Sequence, residues 1–287
     1  MPASNSKTDQ PKAGVLYVVA TPIGNLADMS ERAVQILSSV DAVAAEDTRH
    51  SRVLFSQFGI KTRMISLNEQ NEAGKIPALL SMLGRGEDIA LISDAGTPLI
   101  SDPGFQLVRA ARETGLRVSP VPGASAMIAA LSVAGLPTDR FVFEGFLPAR
   151  PVARRKALTR LLTEPRTVVL YESVHRIIDS LNDMVRVLGE DRQAVVAREL
   201  TKKFETVVHG RLGDLAQKLS QDRASLKGEF VVVIAGSAAL EEDLADARKL
   251  LQALLEELPA AQAARVAAKM TGVSRKTLYR MALAAGR

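Results

Sequence analysis

From residue 15 onward, short apolar runs alternate with stretches whose apolar positions recur at helical spacing. Residues 15–20 read as a strand, and Ser30 then caps a helix carrying Ala33, Val34, Ile36 and Leu37. Residues 41–45 form a second short strand, 63–65 a weaker third, and 72–83 a helix. A strand at 89–93, a helix at 105–114 closed by Gly115, a strand at 116–120 and a helix at 124–133 complete this half; Gly135 and Pro137 stop the last helix. Such alternation predicts a parallel sheet covered by helices on both faces.

The rhythm breaks at 147–160, where Pro148 and Pro151 stand among Arg150, Arg154, Arg155, Lys156 and Arg160. This stretch reads as a basic loop opening a second domain. Beyond it come a strand at 167–171, a helix at 176–188, strands at 194–198 and 205–209, a helix at 212–219 and a strand at 229–235. Two strands in succession predict a hairpin within a mixed sheet. An acidic helical stretch at 241–257 leads to a basic C-terminal segment. The expected organisation is a disordered tail over 1–13, an N-terminal α/β domain over 14–143, a second α/β domain over 144–237 and a helical extension over 238–287.

Composition narrows the chemistry. Hydrophobic residues make up 47% of the 287 and charged residues 24%, which suits a soluble protein with a real core. There is no cysteine, which excludes disulfides, thiolate metal sites and cysteine nucleophiles. The three histidines, His50, His175 and His209, have no metal-binding spacing. The N-terminus lacks the apolar stretch of a signal peptide. The most membrane-like segment, 118–136, is interrupted by Pro120, Pro122, Gly123, Ser125, Ser132 and Gly135. A cytoplasmic protein with no membrane partner is expected.

Charge is unevenly placed. The chain carries a formal +5, yet residues 260–287 hold Arg265, Lys269, Arg275, Lys276, Arg280 and Arg287 with no acidic residue. A concentrated basic tail points to a polyanion. Within it, a helix at 262–270, a turn at 271–273 and a second helix capped by Ser274 make a helix-turn-helix pattern, with Val266, Val273, Leu278 and Met281 as a small core. Arg275, Lys276, Tyr279 and Arg280 would then project toward nucleic acid. A helical hairpin packed on a partner subunit would explain the same pattern. Arg150, Arg154, Arg155 and Lys156 of the basic loop form a second candidate RNA contact.

The usual glycine-rich nucleotide loops are missing: Gly74-Lys75 lacks an upstream glycine, and Gly84-Arg85-Gly86 precedes a strand instead of following one. Three other turns follow predicted parallel strands, at 20–26, 93–104 and 122–126. Ligands in open parallel sheets sit beyond the carboxyl ends of the strands, where small residues expose backbone groups. Asp94 adds a fixed acceptor for a hydroxyl or ammonium. Loop chemistry explains each turn singly; three in corresponding positions favour a cleft.

At these residues the chain resembles a known family. The segments ATPIGNLADMSERA (20–33), AEDTRH (45–50), ISDAGTPLISDPG (92–104), FEGFLP (143–148), YESVHR (171–176), ARELTKKFE (197–205) and GEFVVVIAG (228–236) carry the resemblance. They look like the ribosomal small-subunit ribose-2'-O-methyltransferase branch of the tetrapyrrole methylase superfamily. The resemblance implies a two-domain α/β homodimer that binds S-adenosylmethionine in a folded pose between its domains. It also implies methylation of a cytidine 2'-hydroxyl in the decoding region of 16S rRNA, within the 30S subunit. By motif, Pro22, Asp94, Thr97, Ser125, Ala126, Tyr171, Ala197, Glu229 and Phe230 would line the cofactor site. One departure is visible: Asn68-Glu69-Gln70-Asn71-Glu72 stands where the family pattern would read H-x-H-N-E.

Methyl transfer from a sulfonium needs an aligned hydroxyl and profits from a nearby base. Glu46 and Arg49 follow the second strand, and Glu172, Arg176, Glu199 and Lys202 stand at strand ends of the second domain. Glu46, Arg49 and Lys202 are the catalytic candidates; ion pairs bracing the fold would explain the same residues. Two rivals remain open: a methylase of the same fold acting on a tetrapyrrole, and a ligand sensor fused to a helix-turn-helix DNA reader.

Overall fold

The computed structural model describes residues 13–221, 227–273 and 275–285. The chain divides into two compact units, Met1–Val133 with Ala197–Val207 and Ala134–Val196 with Val208–Arg287.

The first unit is built on five strands: β1 (Val15–Val19), β2 (Ala42–Ala45), β3 (Met64–Ser66), β4 (Ile89–Ile92) and β5 (Arg117–Val121). They lie in the order β3-β2-β4-β1-β5, every pair parallel. Between them run α1 (Glu31–Ser39), α2 (Thr48–Phe58), α3 (Glu72–Gly84) and α4 (Phe105–Glu113), and α5 (Ala126–Val133) follows. The connections through α1 and α2 run one way along the sheet and those through α3 and α4 run back. Right-handed crossovers then place the two pairs on opposite faces. The alternation in β4 shows it: Ile89 and Leu91 join Leu79, Leu83 and Leu107 under α3 and α4, whereas Ala90 and Ile92 join Leu37 and Phe55 under α1 and α2. Neighbouring β1 and β4 send their chains in opposite directions, and in open sheets ligands collect at such a point.

Three elements were not anticipated. Asp47 accepts from the Arg49 N–H and starts α2, with Gly59 closing it in the left-handed region. β6 (Phe141–Phe146) occupies the expected domain boundary. The expected basic loop is a helix, α6 (Pro151–Arg160), because Pro151 sits in its first turn, where a missing N–H costs nothing.

The second sheet contains β6, β7 (Thr167–Ser173), β8 (Gln193–Arg198), β9 (Thr206–Arg211) and β10 (Glu229–Ile234), in the order β6-β7-β10-β8-β9. β6 is parallel to β7 and β10 is antiparallel to it, so the sheet is mixed as expected. α6, α7 (Ile177–Leu188) and α8 (Leu212–Gln221) bury Leu158, Ile177, Leu181, Met184 and Leu215 against Val168, Leu170, Val196 and Val232.

The C-terminal extension is three helices: α9 (Ala238–Glu257), α10 (Ala260–Thr271) and α11 (Arg275–Ala285). Its core includes the expected Val273 and Leu278, with Met281 packed against it, and extends beyond them. Ala247 and Leu251 of α9 pack with Ala263, Ala264, Ala267, Val273, Leu278 and Ala282, so α9 is a full member of the bundle; Val266 is only half-buried. Gly272 ends α10 in the left-handed region. Ser274, expected to cap α11, lies outside the described residues. Among the described residues no helix is long and apolar enough to cross a membrane.

Candidate active site

The three strand-end turns of the first unit meet. Thr21 and Gly96 exchange backbone hydrogen bonds of 2.9 and 3.1 Å, locking the turn after β1 to the turn after β4. The Thr97 hydroxyl donates to the Ala124 carbonyl at 3.1 Å, bringing in the turn before α5. Gly123 closes the set: a Cβ there would fall 3.0 Å from the Ala20 Cβ, so a larger residue would force the first and third turns apart. Pro22 is buried in this junction, and Ser125 and Ala126 are half-buried at the start of α5.

A fourth segment joins through Asp94. Its Oδ1 accepts the Asp47 N–H at 3.1 Å, and its own N–H lies 3.5 Å from Glu46 Oε2. The carboxyls of Glu46, Asp94 and Asp102 thus gather beyond β2 and β4. Burial pushes the Glu46 carboxyl above its usual range, with Asp102 and Asp94 adding repulsion. Asp102 is pushed up to about 6, first by burial and further by Asp94, while the Ser93 hydroxyl opposes the shift. Residues 92–104 are also strained, because Leu99 and Ser101 hold φ of 73° and 69° without being glycine. Asp102 is the functional candidate that the strand-end pattern alone does not single out. Its signal was there in the sequence, as a second acid in the turn that carries Asp94.

Asp102 supplies a stability test. A carboxyl whose folded pKa is raised favours folding while protonated, fully so below its unfolded value, and loses that contribution as pH rises through its folded value. Wild-type stability relative to Asp102→Asn is therefore expected to fall between about pH 4 and pH 7. Thermal melts across that window read it, and parallel curves would show that Asp102 is not perturbed.

Arg49 and Lys202 sit differently. The Arg49 guanidinium grips the Asp47 carboxylate at 2.8 Å while staying 85% exposed, which holds the Asp47 carboxyl well below its usual range. Arg49 therefore faces solvent, apart from the half-buried acids. Lys202, in the same unit, lies across Gly24. A Cβ on Gly24, whose φ is +146°, would fall 2.4 Å from the lysine Cγ and Cε, so only glycine leaves room for this stem. The Lys202 ammonium donates to Glu199 at 2.8 Å.

The remaining candidates divide by burial. Ala197 is fully buried on β8 and can offer only backbone. In the second unit, Tyr171 on β7 packs edge-on against Phe143 and Phe146, at 4.9 and 5.6 Å between centroids. Glu229 is exposed at the start of β10, whereas the Phe230 ring lies in the second core, which leaves only the Phe230 backbone to offer a ligand. Glu172 and Arg176 brace the fold: the Glu172 side chain, 1% exposed, pairs with Arg176 at 2.8 Å and accepts from Ser173 N–H and the Ser180 hydroxyl.

Burial also corrects the RNA candidates. Arg154 is 4% exposed and bound to Asp183 at 2.7 Å, so its guanidinium cannot reach a phosphate. Arg155 shares Asp183 at 3.1 Å and is partly exposed. Arg150 and Lys156 are exposed, as are Arg275 and Arg280 on α11, where Tyr279 is 39% exposed. The side chain of Lys276 lies outside the described residues.

Residues 15–216 match the family described as Tetrapyrrole (Corrin/Porphyrin) Methylases, and residues 241–286 match the RsmI C-terminal HTH domain. The chain is 53% identical over 271 residues to the Ribosomal RNA small subunit methyltransferase I of Escherichia coli O157:H7, covering 94% of this chain and 95% of that protein. It is also 53% identical over 274 residues to the protein of the same name in Pseudomonas aeruginosa, covering 94% and 97%. Among solved structures, uroporphyrin-III C-methyl transferase from Thermus thermophilus complexed with S-adenyl homocysteine is similar in fold, with a TM-score of 0.53 at 19% identity over 77% of this chain and 97% of that one. With most of its length matched by one family and nearly all of it aligned to curated relatives, the chain belongs to the tetrapyrrole (corrin/porphyrin) methylase family.

Proposed function

We propose that the protein transfers a methyl group from S-adenosylmethionine to the ribose 2'-hydroxyl of a cytidine in the decoding region of 16S rRNA, acting on the 30S subunit as a cytoplasmic homodimer. The observation that carries this reading is the near full-length alignment, at 53% identity, with small-subunit rRNA methyltransferases. The basic, exposed α11 favours it over a small-molecule methylase of the same fold, since a tetrapyrrole needs no such surface.

The joined turns suit an adenosine cofactor. Small residues expose backbone groups, and Asp94 is an acceptor fixed by the Asp47 N–H. Asp94, Thr97, Ser125 and Ala126 would hold the cofactor, with Pro22 shaping the floor. Bound there, S-adenosylmethionine supplies a sulfonium methyl that is already strongly electrophilic. The protein's task is then to hold a ribose oxygen roughly 3 Å from the methyl carbon and in line with the breaking bond. Glu46 would take the hydroxyl proton, a role supported by its raised carboxyl. Arg49, exposed, and Lys202, braced on Gly24, would hold the backbone of the target strand.

The test is label transfer from S-adenosylmethionine to 30S subunits, naked rRNA, duplex DNA and a porphyrin precursor, each offered separately. Label in 30S subunits alone supports the reading; label in the porphyrin, or DNA binding without transfer, overturns it. A second expectation concerns α11. The double variant R275A/R280A should bind 30S subunits more weakly, and its log K against log salt should flatten by ~0.7–0.9 per charge removed. An unchanged slope would show that these arginines do not meet phosphate.

A further inference from the structure

Between β8 and β9 the chain makes a short loop in the first unit that ends in an aromatic ring with little cover. Phe204 is 66% exposed, although burying an aromatic side chain is among the largest gains a fold can make. Backbone geometry and local hydrogen bonds hold the loop in this shape. Glu199 and Thr201 adopt left-handed φ of 52° and 66°, and the Thr201 N–H donates to the Glu205 carboxylate at 2.6 Å. Backbone bonds from Lys202 N–H to Glu199 and from Glu205 N–H to Lys202, 3.0 and 3.1 Å, wind it into successive turns. Non-glycine residues persist in such conformations only where the surroundings over-determine them, and they cluster at ligand clamps.

Position and charge indicate what the ring meets. Lys202 lies across Gly24, so the loop is anchored over the turn that follows β1, beside the joined turns of the candidate site. Phe204 is only two residues further on, a span of at most about 7 Å. Lys203 places its ammonium 5.7 Å from the Phe204 ring centroid, and the Lys203 side chain is itself exposed. An exposed aromatic face flanked by lysine is the pairing used to hold single-stranded nucleic acid, the ring stacking on a base and the cation meeting the backbone.

We propose that Phe204 is a stacking platform for a splayed-out nucleobase of the RNA substrate, next to the reacting nucleotide or part of it, with Lys203 on the adjoining phosphate. This rests on the reading of the protein as an RNA methyltransferase. It assigns to the loop the step of holding one unstacked base so that the target ribose is presented at the carboxyl edge of the sheet. Stacking tolerates any base, so Phe204 would contribute affinity and placement, not sequence choice.

The chain has no tryptophan, so F204W creates a single fluorescent reporter at this position. Its emission should be quenched by a single-stranded RNA oligonucleotide and left unchanged by duplex DNA. With 30S subunits, F204A and F204L should lose between about five-fold and about 150-fold in kcat/KM, mostly through KM, while F204W stays near wild type. Binding of S-adenosylmethionine should be the same in all of them, and the exposed site should leave folding intact. F204A as active as wild type would overturn the proposal. So would F204L as active as wild type, which would reduce the ring to an apolar contact. A loss in F204A accompanied by a smaller species on size exclusion, and recovered at high protein concentration, would assign the ring to a subunit contact and overturn it too. Wild-type enzyme that transfers no methyl to 30S subunits would instead sink the underlying functional reading, and the stacking role with it.

Discussion

Asp183→Ala is expected to cost about 3–5 kcal/mol of unfolding free energy. Asp183 on α7 is the shared anion for two guanidiniums of α6: Arg154 at 2.7 Å, with 4% of its side chain exposed, and Arg155 at 3.1 Å. Alanine would leave the Arg154 charge buried without its anion, and the penalty of that stranded charge exceeds what the pair contributes when intact. Burial works against ionisation of Asp183, but the two arginines overcome it and hold its carboxyl below its ordinary value. A carboxyl shifted down stabilises the fold above its unfolded pKa and loses that contribution as pH falls through its folded one. The deficit of Asp183→Ala should therefore be full at neutral pH and shrink toward acid. Urea unfolding at pH 7 and pH 3 measures both effects. The double variant R154M/D183L, which removes charge and partner together, should recover much of the loss. A neutral Asp183→Ala would mean that Arg154 reaches water.

The second large effect is on function. Asp94→Ala removes the one acceptor that the joined turns hold in a fixed place through the Asp47 N–H. Hydrogen bonds from a neutral group to an ionised one contribute ~1.5–3 kcal/mol, so affinity for S-adenosylmethionine should fall roughly ten- to 150-fold. Asp94 is half-buried and outside both sheet cores, so the melting temperature should move little. Calorimetric titration of the cofactor and a thermal melt on the same sample separate the two. Unchanged cofactor affinity would move the site away from the β1–β4 edge.

The sequence made the first sheet legible because strands buried on both faces leave unbroken apolar runs, as at 42–45 and 89–92, and the helices between them begin and end on caps such as Ser30 and Gly115. It hid α6 because arginines and prolines mimic loop composition. Yet Arg154 and Leu158, spaced four apart, are the buried face of that helix. Counting positive charge alone could not tell Arg154, consumed by Asp183, from Lys156 in solvent. The C-terminal core was legible at Val273, Leu278 and Met281 but not in its full extent: alanines at 263, 264 and 267 are weak signals singly but allow close helix packing, and α9 supplies the larger Leu251.

Of the site, Asp94, Thr97 and the small residues around them were legible as strand-end turns, because all of them lie in one stretch of chain or follow a strand. That the three turns interlock was not, since Thr21 with Gly96 and Thr97 with Ala124 are pairings across long separations. Burial of Asp102 and its crowding by Asp94 depend on the same long-range closure. Arg49 shows the converse: its position after β2 was plain, while its pairing with Asp47 and its exposure required the cap geometry of α2.

The central claim is ribose methylation of small-subunit rRNA. Its most direct test is to treat 30S subunits lacking the modification with the enzyme and S-adenosylmethionine, digest the 16S rRNA to nucleosides and fragments, and weigh them. One new 2'-O-methylcytidine is expected, located in a decoding-region fragment and formed more slowly by Asp94→Ala at limiting S-adenosylmethionine. A methyl on a base, on another RNA, or only on a tetrapyrrole offered in competition would contradict it.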